Sequence, residues 1–224
     1  MAHIRPLALT DKSALLHVFN ETAHVTLKKG GPQILDLASY IWCRPYHLLA
    51  PGTSFVIDDG TGRAIGYILS VADTISFVAW FKDVYLPYCH AQGIDPPELK
   101  DGRPPSWSED LDGALRTQLY RPDEMLYQSN PNLVKQYPAH LHIDILPEWQ
   151  RQEWGRKLMV VLVGELRRRN VKGVHLGMAG DNVEAGKFYE ALGFERFDEV
   201  MDGGKSGEKG RDKGGGVVYV LEIQ

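Results

Sequence analysis

The sequence predicts an α/β protein, because short runs with strand alternation are interleaved with longer runs that have helical spacing. A buried strand, a short loop and an amphipathic helix follow one another over residues 141–169. Two β-rich runs, SFVID and AIGYILSV, flank DGTGR, which is a hairpin signal because Asp and Gly accept positive φ. The strand GVHLGM, a helix opened by Asp181 or Asn182, a strand near Phe194 and a final strand VVYVLEI complete the pattern.

Composition indicates one soluble globular domain. The chain has 224 residues, of which 43% are hydrophobic and 24% charged, and its formal net charge is −4. This mild acidity disfavours a general nucleic-acid or anionic-membrane binder. Cys43 and Cys89 are too few for a disulfide framework, the N-terminus lacks a signal-peptide layout, and no apolar run could span a membrane. We therefore expect a cytoplasmic protein, with access to the nucleus left open.

The N-terminal part predicts a short strand in HIRPLAL that enters a helix capped by Thr10 or Asp11. A second helix is expected over Ile34–Trp42, ending before Pro45, because the residue ahead of a proline disfavours the helical region. Apolar residues recur at helical spacing over Ile75–Tyr88.

Two segments interrupt this order without marking a second domain. The polar, proline-rich stretch 92–105 predicts a long surface loop within an insertion at about 92–122, and a weaker helix is expected over Pro122–Gln136. The glycine- and lysine-rich segment 203–216 predicts a mobile loop between two strands of the sheet. We expect a single domain over 1–224.

The strand HLHIDIL alternates, so two sets of side chains lie on opposite faces: Leu141, Ile143 and Ile145 on one, His142, Asp144 and Leu146 on the other. The helix over Glu153–Arg169 carries an apolar stripe at four-residue steps and ends in three arginines, where the helix dipole favours positive charge. The arginines fit a solvated helix end better than a nucleic-acid patch.

The loop between this strand and helix predicts a phosphate-binding site. A turn of free backbone N–H groups and the positive end of a helix meet there, at the carboxyl edge of the strand. Arg151, Arg156 and Lys157 lie on the same turn and can add charge-assisted contacts to a diphosphate.

Two motifs resemble one superfamily. The run ILPEWQRQEWG, residues 145–155, resembles the acyl-CoA-binding motif V-x-P-x-x-[QR]-x-x-G-x-[GA] of the GCN5-related N-acetyltransferases (GNAT), with Gln150 and Gly155 at two signature positions. The run NVEAGKFYEALGF, residues 182–194, resembles the second motif N-x-x-A-x-x-F-Y-x-x-x-G-F. More narrowly, GYILSVADTISFVAWFKDVYLPY, YPAHLHIDILP and GVHLGM are similar to bacterial and fungal acetyltransferases related to the C-terminal domain of O-GlcNAcases.

The resemblance implies the GNAT fold, a mixed, mostly antiparallel twisted sheet of about seven strands flanked by helices, with acetyl-CoA as cosubstrate and no metal. It implies that the cofactor-binding residues are Ile145, Leu146, Gln150, Arg151, Gln152, Glu153, Trp154, Gly155, Arg156, Asn182 and Tyr189. One residue departs from the motif: Glu153 stands where the family usually has its first glycine. A carboxylate directed inward would lower CoA affinity, whereas one directed to solvent leaves the backbone cradle intact.

The implied reaction is direct attack of an amine on the thioester in a ternary complex. Tyr189 matches the tyrosine that commonly protonates the leaving thiolate, although it could instead only pack beneath the cofactor. His142 and Asp144 share one face of the strand and are the candidate general bases, with a structural hydrogen-bonding role as the alternative for each. His140 and His175 are weaker candidates, and Asn182 is equally explained as a helix N-cap.

The leading hypothesis is therefore an N-acetyltransferase that acts on an amine of unknown identity, either a small molecule or a protein lysine. The alternative is a non-catalytic acetyl-CoA-binding or interaction module. We expect no membrane partner, a monomer or homodimer, and nucleic acid only as a disfavoured partner through Arg167–Arg169. Substrate-side residues are expected in Asp73–Tyr88 and the loop 92–105, where Trp80, Tyr85 and Tyr88 form either a pocket or part of the core.

Overall fold

A computed structural model describes residues 1–49, 52–99, 102–128, 130–197 and 216–223. The predicted glycine-rich loop at 203–216 lies outside the described residues apart from Gly216. No helix of the described residues is both long and apolar enough to cross a bilayer.

Seven strands of the described residues form one sheet: β1 (His3–Pro6), β2 (Phe55–Asp58), β3 (Ala64–Val71), β4 (Ala139–Ile145), β5 (Gly173–Ala179), β6 (Glu195–Arg196) and β7 (Gly216–Glu222). Their order is β1-β2-β3-β4-β5-β7-β6. Neighbouring strands are antiparallel except β4 and β5, which are parallel. The sheet confirms the predicted fold class.

The hairpin between β2 and β3 forms where the sequence predicts it. Gly60 and Gly62 of the turn have φ of 96° and 97°, a region that L side chains rarely adopt. Both glycine N–H groups donate to Asp58 Oδ1, at 2.8 and 3.0 Å, so the aspartate holds the turn closed.

Helices cover both faces of the sheet. They are α1 (Lys12–Thr22), α2 (Val25–Lys29), α3 (Gly31–Trp42), α4 (Arg44–Leu49), α5 (Thr74–Trp80), α6 (Leu86–Ala91), α7 (Leu111–Leu119), α8 (Asn132–Gln136), α9 (Trp154–Arg168) and α10 (Val183–Glu190). A π-helical segment, Phe81–Tyr85, joins α5 to α6. Helices α1 and α4 pack against β3 on one side, and α9 packs against β2, β3 and β4 on the other.

Several predicted elements need correction. Asp11 stands at the N-cap of α1 but makes no capping bond to that helix; its carboxylate accepts from Ala8 N and pairs with Arg5 instead. The single helix expected over Pro122–Gln136 is a 3-10 turn, Pro122–Leu126, followed separately by α8, because Pro131 and a left-handed Tyr127 interrupt it.

The expected insertion contains a helix that belongs to the interior. Residues 92–99 and 102–105 form irregular backbone, as predicted for the loop. Helix α7, however, packs on α3, and its Leu115 and Leu119 are fully buried. A leucine pair four residues apart places both side chains on one helical face, which explains the burial.

Candidate active site

A gap opens in the sheet between β4 and β5. The two strands pair only at Ala139 with Val174 and at His140 with His175. Beyond these pairs β4 stays bonded to β3 as far as Ile145, and β5 stays bonded to β7 as far as Ala179. Two strands that keep their outer partners but separate from each other leave backbone N–H and C=O groups exposed along the inner edges. These groups can bind an extended ligand.

The loop after β4 is held by hydrogen bonds to the end of that strand and to β3. Gln150 Nε2 donates to the carbonyl oxygen of Ile145 at 2.8 Å, which ties the loop to the last residue of the strand. Gln152 Nε2 donates to Glu148 O at 2.9 Å and holds the loop together internally. Leu146 is buried and its N–H donates to Ile65 O at 3.0 Å.

The backbone of this loop has the conformation of an anion-binding turn. Arg151 and Glu153 have φ of 59° and 63°, in the left-handed region, although neither is glycine. Helix α9 begins directly afterwards at Trp154, and a helix cannot satisfy the N–H groups of its first turn from within. Left-handed residues next to such a turn form a concave cluster of N–H donors, and the helix dipole favours an anion there.

Glu153 is directed to solvent. Its side chain is 71% exposed and its Oε2 accepts from Arg156 Nε at 3.1 Å. The residue therefore adopts the backbone conformation that the family's glycine would supply and keeps its carboxylate outside the cradle. Lys157 is also drawn aside, with its Nζ 4.3 Å from the centre of the Trp154 ring.

Gly155 joins the two sequence motifs. A Cβ at this position would lie 2.9 Å from Phe188 Cζ and 3.8 Å from Ile145 Cδ1. The missing side chain lets the start of α9 approach both the end of β4 and the ring of Phe188 on α10. Asn182 caps α10, since its Oδ1 accepts from Ala185 N at 3.2 Å.

Two of the predicted catalytic residues, Asp144 and Tyr189, interact electrostatically. Ile145 points towards α9, so its neighbour Asp144 points to the other face of the sheet, where Tyr67 donates to Asp144 Oδ2 at 2.7 Å. Tyr189 of α10 is buried. Burial raises the pKa of Tyr189, and the nearby negative charge of Asp144 raises it further.

Asp144 is a perturbed acid. Burial raises its pKa to about 6, although the hydrogen bond from Tyr67 opposes the rise. The carboxylate is therefore ionised at neutral pH but is a stronger base than an ordinary aspartate. Perturbed groups of this kind are frequent at functional sites.

His142 belongs to a buried polar cluster. The hydroxyl of Tyr46 lies 2.8 Å from His140 Nε2 and 2.9 Å from His142 Nε2. His175 Nδ1 donates to Tyr137 O at 2.6 Å, and its ring lies 5.7 Å from that of His140. Burial lowers the pKa of both His142 and His175 to about 4, so both are neutral at pH 7.

The structure adds residues that the sequence did not single out. Tyr46, Tyr67 and Thr74 contact the predicted bases, but they are 66 to 96 positions away from them in the chain and carry no local motif. Of the aromatic residues predicted near the substrate, Tyr85 is buried, and its hydroxyl donates to Tyr40 O, which fits packing in the core.

The fold and the site define an acyl-CoA-type transferase: a mixed sheet split between its two parallel strands, with an anion-binding turn at the edge of the split. Residues 105–194 match the acetyltransferase (GNAT) family. A solved structure described as SsHAT is 32% identical to this chain, spans 100% of it and 98% of its own length, and superposes with a TM-score of 0.81. The chain belongs to the GNAT acetyltransferase family, and acetyl-CoA is its acetyl donor.

More distant structures share the fold. Drosophila melanogaster polyamine N-acetyltransferase, which catalyses the formation of N-acetylagmatine, is 12% identical over 100% of both chains, with a TM-score of 0.60. PaiA N-acetyltransferase from Thermoplasma acidophilum, solved with coenzyme A, is 11% identical over 99% of both chains, with a TM-score of 0.55. The narrower resemblance to O-GlcNAcase-related acetyltransferases stays a prediction. Among the described residues no group of three or more His, Cys, Asp or Glu side chains is placed to hold a metal ion.

Proposed function

We propose that the protein transfers the acetyl group of acetyl-CoA to a primary amine by direct attack in a ternary complex. The observation that carries this proposal is the gap between β4 and β5, because His142 and Asp144 lie on the part of β4 that is not paired with β5, and the loop after β4 leads into the N-terminal turn of α9. A split sheet with an anion site at one end and ionisable groups beside it suits an elongated, phosphate-bearing acyl donor.

The turn before α9 is the proposed diphosphate site. The N–H groups near Glu153, Trp154 and Gly155 would hold the phosphate oxygens, and Arg151 and Arg156 would add positive charge. Gln150 fixes the turn against β4, so the donors are positioned before the ligand arrives. Ile145 and Leu146 supply the strand edge along which the acyl-bearing arm would run. Gln152 and Asn182 act by holding the loop and the start of α10 in place.

The proposed proton transfers use two different groups, a base and an acid. After attack, the amine nitrogen carries a positive charge next to an oxyanion, and its N–H bonds are far more acidic than those of a free ammonium ion. A neutral imidazole at His142 or a carboxylate at Asp144 can accept that proton. Tyr189, which is protonated because burial raises its pKa, can donate its proton to the departing thiolate.

The position of Glu153 supports binding of acetyl-CoA, which the catalytic function requires. Its carboxylate would repel the diphosphate if it pointed inward, but the side chain is exposed and paired with Arg156. The backbone around Glu153 keeps a conformation that a glycine would adopt without cost. The loop is therefore compatible with a bound anion.

Calorimetry followed by a turnover assay tests the proposal. Acetyl-CoA is titrated into the protein, and thiol release is then followed with a panel that includes agmatine, a polyamine and a lysine-containing peptide. We expect saturable binding and release that depends on the amine. Tight binding without release from any amine would favour the non-catalytic module, and the absence of binding would contradict both functions.

A further inference from the structure

A chain of hydrogen bonds runs through the interior and ends at His142. The hydroxyl of Thr74 donates to the carbonyl oxygen of Pro138 at 2.7 Å and lies 2.8 Å from His140 Nδ1. His140 Nε2 lies 2.8 Å from the Tyr46 hydroxyl, which in turn lies 2.9 Å from His142 Nε2. Thr74, His140 and Tyr46 are buried, whereas His142 is only half-buried.

The direction of every bond in this chain is set by where the hydroxyl proton of Thr74 lies. Pro138 O can only accept, from Thr74 N at 2.8 Å and from the Thr74 hydroxyl at 2.7 Å, and the chain is built with the hydroxyl proton on this second bond. The Thr74 oxygen must then accept from His140, which places the ring proton of His140 on Nδ1 and leaves Nε2 as an acceptor. The Tyr46 hydroxyl fills that acceptor with its only proton, and its oxygen must therefore accept from His142 Nε2–H.

His140 and His142 are both neutral, so each ring carries one proton and its tautomer is defined. Burial lowers the pKa of His140 well below its ordinary value, and the neighbouring His175 and His142 lower it further. A neutral His142 with its proton on Nε2 has an unprotonated Nδ1. Among the described residues no group bonds to that atom, and His142 lies just beyond the last paired residue of β4, where the gap begins. Nδ1 is therefore the ring nitrogen that this chain of bonds leaves unused, on a half-buried side chain beside the gap.

Resting on the proposed function, we infer that Thr74, His140 and Tyr46 are positioning residues that fix His142 in the tautomer with an unprotonated Nδ1, which makes His142 the general base. In the reaction an N–H bond of the attacking amine breaks and an Nδ1–H bond forms. His142 becomes an imidazolium whose Nε2–H still donates to Tyr46, and the Nδ1 proton later passes to solvent. Asp144, held by Tyr67, then serves as a nearby negative charge that favours this imidazolium.

Thr74 does not touch His142, yet its substitution should change the tautomer of His142. In Thr74→Val, the Nδ1–H of His140 loses its acceptor, and a buried unpaired donor is costly. Moving the His140 proton to Nε2 makes it donate to Tyr46, whose hydroxyl must then donate to His142 Nε2. The proton of His142 moves to Nδ1, and the base is blocked. Thr74→Ser retains the hydroxyl and should retain the chain.

The ring tautomers are read directly from long-range proton–nitrogen NMR spectra of histidine-labelled protein, with the signals of His142 assigned by their loss in His142→Gln. Thr53→Val is the matched control, since Thr53 is also buried and donates to a carbonyl, that of Ser70, at 2.6 Å. We expect His142 protonated on Nε2 in the parent, in Thr74→Ser and in Thr53→Val, and shifted towards Nδ1 protonation in Thr74→Val.

Turnover measured on the same proteins tests whether His142 is the general base. With thermal melts confirming that each variant is folded, kcat should fall at least about tenfold in Thr74→Val, and by no more than the ~10²–10⁴-fold that a general base contributes. The KM for acetyl-CoA should stay within about twofold, and Thr74→Ser should restore kcat. A parent His142 protonated on Nδ1 overturns the inference without any variant. An unchanged tautomer or kcat in Thr74→Val also overturns it, whereas failure of acetyl-CoA binding or of turnover in the parent contradicts the proposed function instead.

Discussion

Glu153 should lower both the stability of the protein and its affinity for acetyl-CoA, through two separable effects. Its φ of 63° lies in the left-handed region, which costs an L residue ~1–2 kcal/mol. Glycine avoids that cost but loses ~0.5–1 kcal/mol of backbone entropy on folding. The exposed ion pair with Arg156 contributes little. Glu153→Gly should therefore raise the free energy of unfolding by about 0.5–1 kcal/mol.

The charge effect acts on the ligand. Two unit charges ~8 Å apart in water interact by ~0.5 kcal/mol, so a diphosphate with two charges is repelled by ~1 kcal/mol, or about fivefold in affinity. At physiological ionic strength the Debye length is also ~8 Å, which reduces the effect to about twofold. Removing the carboxylate should also release Arg156 for the phosphates.

Three variants separate the effects. Glu153→Gln removes the charge but keeps the left-handed backbone strain, so it should tighten acetyl-CoA binding without a change in unfolding free energy. Glu153→Gly should change both quantities. Asn170→Gly, at φ 56° beyond the other end of α9, should leave affinity unchanged. Calorimetry at low and at physiological salt, with urea denaturation, measures both. Equal or weaker binding of acetyl-CoA by Glu153→Gln than by the parent at low salt would refute the electrostatic argument. A Glu153→Gly variant less stable than the parent would refute the strain argument.

Three further outcomes follow from the same structure. Tyr189→Phe should lower kcat about tenfold or more while the Kd for acetyl-CoA stays within about twofold, because only the donated proton is lost; equal turnover would remove Tyr189 as the acid. Burial holds His175 neutral with a pKa of about 4, whereas the unfolded chain takes up a proton below about 6.5, so stability present above pH 6.5 is lost as pH falls towards 4. His175→Gln should flatten the fall in melting temperature over that range, and an equally steep fall would contradict this. Gly164→Ala should stabilise α9 by up to ~1 kcal/mol, because no atom lies within 4 Å of a Cβ at that position. Gly155→Ala should destabilise the protein, because its Cβ would clash with Phe188. Equal effects of the two variants on the free energy of unfolding would show that the contact with Phe188 is unimportant.

Local patterns predicted the elements whose hydrogen bonds close within a few residues. The helix expected over Glu153–Arg169 is α9, and the strand HLHIDIL is β4 with the predicted faces. The single helix expected between Pro122 and Gln136 was wrong. Tyr127 and Pro131 interrupt it, and the spacing of apolar residues alone does not reveal this interruption. Helix α7 was missed because the sequence predicts an insertion over this segment, and only its packing on α3 shows that it belongs to the interior. Its apolar residues do recur at helical spacing, at Leu111, Ala114, Leu115 and Leu119.

The assignment of site residues was uneven for a related reason. Motif positions such as Gln150 and Gly155 were recognisable because they stand at fixed spacings within one short run of sequence, residues 145–155. The conformation of Glu153 was not, since a glutamate adopts the left-handed region only when the surrounding structure imposes it. Nothing in the sequence indicated the hydrogen-bond partners of the candidate bases, because the residues around Tyr46 and Tyr67 form no motif and fit tyrosines packed in the core.

The sequence by itself therefore determined the family and the acetyl donor and predicted the loop proposed to bind it, since these depend on motifs a dozen residues long. Only the tertiary structure decided where β4 and β5 separate, which way Glu153 points and how His142 is held. The physical reason is separation along the chain: the bonds from Tyr46 to His142 and from Tyr67 to Asp144 join residues 96 and 77 positions apart. Such contacts exist only after the sheet and the helices on its two faces have packed.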